Sequence, residues 1–70
     1  MSKQEKFISI AERRTTAVLN AFRLLSQCSN RRTYEYTSEQ VQKMFREIER
    51  ELKKAKEAFE QNLKKNGFKF

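Results

Sequence analysis

The stretch YTSEQVQKMFREIERELKKAKEAF, residues 36–59, decides the fold. Its apolar residues Val41, Phe45, Ile48, Leu52, Ala55 and Phe59 fall at alternating steps of four and three. That heptad rhythm sets all six on one stripe of an α-helix, the seam of a coiled coil or helical bundle. The residues in front of the stripe spell a start. Thr37 can serve as N-cap, Gln40 three residues on can complete a capping box, and Tyr36 is placed to pack on Val41 as a hydrophobic staple. Behind it, Asn66-Gly67-Phe68 spells a stop. Gly67, the only glycine, suits the left-handed position just past a helix end, with Phe68 folding back on Leu63. The sequence thus predicts a helix over about 38–66 and a tail over 67–70.

Upstream, Ser2-Lys3-Gln4-Glu5 repeats the capping-box spacing and predicts a first helix over about 3–27. Phe7, Ala11, Arg14, Val18, Ala21 and Leu25 keep the four-three rhythm, with Arg14 as the polar break. Ile8, Leu19 and Leu24 lie outside that seam, so the apolar face is wider than one partner helix needs. Arg14 can snorkel from the seam edge with its head in water, or set register in an oligomer. Residues 28–37 break the periodicity with Ser, Asn and Thr, which compete for backbone hydrogen bonds and favour turns. The expected fold is all-α: one domain forming a two-helix antiparallel hairpin. Phe7, Val18, Leu25, Val41, Phe45, Ile48, Leu52 and Phe59 form its seam. Two helices alone would leave the flanks wet in a chain of 70 residues. Pairing two hairpins into a four-helix bundle covers them, so a homodimer is expected.

Three Glu–Lys pairs on the second helix, Glu39–Lys43, Glu49–Lys53 and Glu60–Lys64, stand four apart in the favourable order. They read as a solvated face, each contributing about 0.3 kcal/mol. Glu47, Glu49 and Glu51 belong to that face and do not read as catalytic. With no His and no Asp in the chain, neither a metal site nor an acid–base pair is drawn by the residues, and no enzyme is expected. No cofactor, metal or small-molecule substrate is therefore expected. Cys28 is the only cysteine, which excludes an internal disulfide. A small buried or half-buried thiol in a reducing, cytoplasmic setting is its simplest reading. No apolar run approaches the roughly 20 residues that span a bilayer, so no membrane association is expected.

Charge is the better lead. Sixteen Lys and Arg stand against nine acidic residues, for a net +7, which raises the odds of a polyanionic partner. Arg23, Arg31 and Arg32 gather with Tyr34 and Tyr36 around the connection, while Lys64 and Lys65 weight the end of the second helix. Arginine beside tyrosine suits phosphate contact combined with base stacking. The competing reading makes the charges a solvated surface, and the staple already accounts for Tyr36. Two function classes follow: nucleic-acid association through phosphate contacts, or a protein-interaction module, adaptor or inhibitor, using the helical faces.

The segment SQCSNRRTYEYTSEQVQKMFREIERELKKAK, residues 26–56, resembles a small group of uncharacterised proteins carried by plasmids and conjugative elements of Gram-positive bacteria. The likeness lies in Cys28-Ser29-Asn30, in Tyr34-Glu35-Tyr36-Thr37 and in the charged amphipathic helix after them. The resemblance implies an accessory protein of a bacterial mobile element. Its motif is structural, so it carries no functional residue onto this chain.

Overall fold

The computed structural model describes residues 2–67, with side chains through Lys64. It is all-helical among those residues, with α1 spanning Lys3–Gln27 and α2 spanning Ser38–Gly67. The chain divides into two units between Glu35 and Tyr36, each built on one helix.

In the first unit, α1 starts where the capping box places it. The Ser2 hydroxyl accepts the Glu5 N–H at 3.1 Å, and the Glu5 carboxylate accepts the Ser2 N–H at 3.0 Å. Two N-terminal donors without helical partners are thereby satisfied. These hydrogen bonds, first the Ser2 backbone and then its side chain, hold the Glu5 carboxyl below the usual carboxylate range. The other end of α1 tightens. Cys28, Ser29 and Asn30 donate their N–H groups to Leu25, Ser26 and Gln27, each three residues back. Such 3₁₀-type bonds occupy the last carbonyls of the helix. The Ser26 hydroxyl also bonds back to the Phe22 carbonyl at 3.0 Å, the habit that makes serine a poor helix-interior residue.

Cys28 departs from expectation. It is exposed rather than buried or half-buried. It occupies the C-cap, where the chain leaves the helix.

In the second unit, the start of α2 matches the sequence reading closely. The Thr37 hydroxyl accepts the Gln40 N–H at 3.1 Å, and the Gln40 side-chain oxygen accepts the Thr37 N–H at 2.8 Å. Tyr36 and Val41 are both half-buried, as a staple of those two residues requires. The far end runs one residue longer than expected, because Gly67 is the last helical residue instead of the first beyond it. The left-handed position expected of Gly67 is therefore not seen: it is helical, and no described glycine has a positive φ. The fold-back of Phe68 on Leu63 and the Phe68–Phe70 tail lie outside the described residues.

The charged face of α2 forms, with different pairs. Glu47 and Arg50 pair at 3.1 Å, and Glu51 and Lys54 at 3.2 Å, both three residues apart. The expected four-apart pairs, Glu39–Lys43, Glu49–Lys53 and Glu60–Lys64, are not among the ion pairs of the described residues. Both spacings put neighbours on one helix face for a few tenths of a kcal/mol, so side-chain rotamer freedom decides between them.

No described residue is buried. Along α2, Val41, Met44 and Ile48 are half-buried, while Phe45, Leu52, Phe59 and Leu63 are exposed. Along α1, Ile10, Ala11 and Leu25 are half-buried, and Phe7, Ile8, Val18, Leu19, Phe22 and Leu24 are exposed. A single helix has no interior: neighbours one turn away can shade a side chain but cannot enclose it. The stripes that the heptad spacing draws are therefore open apolar surface within each unit.

Candidate nucleic-acid interface

The arginine turn follows directly from the end of α1. Asn30 organises it from both its backbone and its side chain. Its carbonyl accepts the N–H of Thr33 at 3.1 Å and of Tyr34 at 2.9 Å, and its side-chain oxygen accepts the Arg32 N–H at 3.0 Å. Asparagine suits this post because its short amide reaches the backbone two residues on. The result is one closed turn of backbone over residues 31–33 that holds Arg31 and Arg32 in sequence with Tyr34. Arg31 and Arg32 are exposed, and Tyr34 keeps 50% of its surface, enough ring area for a flat partner to stack on. Arg23 lies on α1 one turn before its end, also exposed, with its guanidinium on the Asn20 side-chain oxygen. That bond leaves other donors of the five on the guanidinium to meet a phosphate.

Arg23, Arg31, Arg32 and Tyr34 thus belong to one unit, and Lys64 and Lys65 belong to the other. Lys64 is exposed in the last turn of α2; the Lys65 side chain lies outside the description. Tyr36 is half-buried at the start of α2, in keeping with a packing role.

One signal in the sequence strengthens the first group. Between Glu12 and Glu35 there is no acidic residue, and that interval holds Arg13, Arg14, Arg23, Arg31 and Arg32. Arg13, exposed on the polar side of α1, joins the candidate residues on this ground. On α2 the basic residues alternate with glutamates and pair with them, as at Glu47–Arg50 and Glu51–Lys54. Interleaved opposite charges cancel within a Debye length, whereas an acid-free run sums its field. Arg31 and Arg32 also sit just past the C-terminus of α1, where the helix dipole favours cations, so helix stability accounts for part of their placement.

Among the described residues no group of His, Cys, Asp and Glu is placed to hold a metal ion, and no helix is long and apolar enough to cross a membrane. No known family model matches the chain, and no curated protein or solved structure is found to match it.

Proposed function

We propose that the protein is a non-enzymatic, basic helical accessory protein that associates with nucleic acid through phosphate contacts. The observation that supports this reading best is the Asn30 turn, where Arg31, Arg32 and Tyr34 stand exposed in an acid-free run. Guanidinium groups on phosphates supply affinity without base preference, and Tyr34 offers a stacking surface for an unpaired base. The resemblance to mobile-element proteins of Gram-positive bacteria agrees with a cytoplasmic role of this kind. In the same proposal α1 and α2 fold back as an antiparallel hairpin, and two hairpins form a four-helix bundle. The support is the open apolar stripe on each helix, which needs a covering helix.

Replacing Arg31 and Arg32 together with Ala tests the function. Binding should weaken alike for all sequences, and the slope of log affinity against log salt should shrink by about one to two units. An unchanged slope would take the site away from this turn.

A second reading is favoured by one observation, the exposure of Leu24, Leu52 and Phe59 on the helical faces. Open apolar stripes of that kind equally serve a protein-interaction module, an adaptor or inhibitor docking on a protein partner. Capture of one specific protein by a chain that binds no nucleic acid would favour it.

A further inference from the structure

We infer that the nucleic-acid contact extends from the arginine turn along the polar stripe of α1 to Arg13, so that one phosphate backbone lies along the helix. The inference deepens the functional reading above and rests on it. Arg13, Thr16, Asn20, Arg23 and Gln27 follow one another at alternating steps of three and four. At about 100° per residue they share an arc of about 80° on α1, and no other residue between 13 and 27 falls inside it. All five are exposed. The Arg23 guanidinium donates to the Asn20 side-chain oxygen, a contact made between neighbours on one helix face.

The stripe runs on into the turn. The Asn30 N–H donates to the Gln27 carbonyl, three residues back, and the Tyr34 N–H donates to the Asn30 carbonyl, four back. Asn30 and Tyr34 thereby keep the three-four rhythm past the helix end, next to Arg31 and Arg32. Every side chain of the helical stripe can donate a hydrogen bond to a phosphate oxygen, Arg13 and Arg23 with a full positive charge, and none is acidic. A merely solvated face mixes both signs, as α2 does at Glu47–Arg50 and Glu51–Lys54. Glutamate enters only at the far end, where Glu12 neighbours Thr16 one turn on and closes the stripe.

The stripe is long enough to follow a backbone. From Arg13 to Cys28 the rise is about 22 Å at 1.5 Å per residue. One strand of a duplex carries a phosphate about every 3.4 Å, so about six phosphates fit alongside. Arg14 supplies an internal control. It has the same charge as Arg13, and it stands about 100° round the helix on the apolar seam. Both arginines are more than two Debye lengths of about 8 Å from the turn at physiological salt. Loss of either therefore changes the field at the turn alike, and only direct contact with the ligand separates them.

Fluorescence anisotropy of the full chain with a labelled single strand of about 20 nucleotides, taken across a salt series, tests the inference. Arg13→Gln should reduce the slope of log affinity against log salt by about 0.7, the share of one single-strand phosphate. Arg14→Gln should leave the slope unchanged, with circular dichroism showing that both variants keep their helix. If Arg14→Gln loses helix, Arg50→Gln on α2 gives the same charge change away from the stripe. Equal slopes for Arg13→Gln and its control would overturn the inference. The functional reading would survive that result if replacing Arg31 and Arg32 still reduced the slope. No binding by the unaltered chain would overturn both.

Discussion

At the scale of single residues, the helix starts account for much of the local order. Both are capping boxes made of neutral-hydroxyl and acid or amide partners, Ser2 with Glu5 and Thr37 with Gln40. They differ in one respect that can be measured. Glu5 titrates and Gln40 does not. A carboxyl held below its ordinary range stabilises the folded state most when ionised. Its contribution is complete above the unfolded value near 4.3 and is lost as pH falls through the lowered folded value. Circular dichroism should therefore show α1 fraying as pH falls below the ordinary carboxylate range, and Glu5→Gln should remove that component, because glutamine keeps the box without titrating. At the second start, Thr37→Ala should cost about 1 kcal/mol in a denaturant melt. Asn30→Ala should speed hydrogen exchange at the Arg32 amide, whose acceptor is the Asn30 side chain, while leaving amides in the middle of α1 unchanged.

At the scale of elements, the two helices were legible because their signals are local. A cap is three residues long, a heptad stripe repeats within one helix, and both act before any tertiary contact forms. Serine, asparagine and threonine likewise announced the turn after α1, although not its specific bonds to Asn30. Three features were less legible for physical reasons. The ion pairs of α2 depend on rotamers that are nearly equal in energy, so spacing alone could not select Glu47–Arg50 and Glu51–Lys54. Residue type points to a buried or half-buried Cys28, whereas its position at the C-cap leaves it exposed. Arg13 lies apart from the turn in sequence, and the acid-free interval is what connects it with Arg31 and Arg32. The proposed covering of the α2 stripe gives a direct mutational expectation. Ile48→Ala or Leu52→Ala should destabilise by about 2–5 kcal/mol, the cost of a cavity at a helix interface. Lys53→Ala, on the charged face, should stay within roughly 0.5 kcal/mol. Equal small effects at all three positions would mean the stripe faces water in solution.

At the scale of the whole molecule, the chain carries both open apolar stripes and a basic turn. In the proposed function a second chain covers the first and a polyanion meets the second. Sedimentation equilibrium at micromolar concentration should give twice the chain mass if the bundle forms, and a monomer with a cooperative melt would contradict it. Nucleic-acid association is the central claim, and fluorescence anisotropy in low salt tests it most directly, with labelled single- and double-stranded DNA and RNA. The account predicts binding to each, with affinity falling steeply as salt rises and a slope set by the number of phosphates contacted. Tyr34→Ala should weaken the single-stranded ligands by about 1–3 kcal/mol beyond the duplexes. No binding to any of these ligands up to roughly 100 µM, the weak limit of ordinary non-specific association, would contradict the claim and leave the charge as a solubility feature.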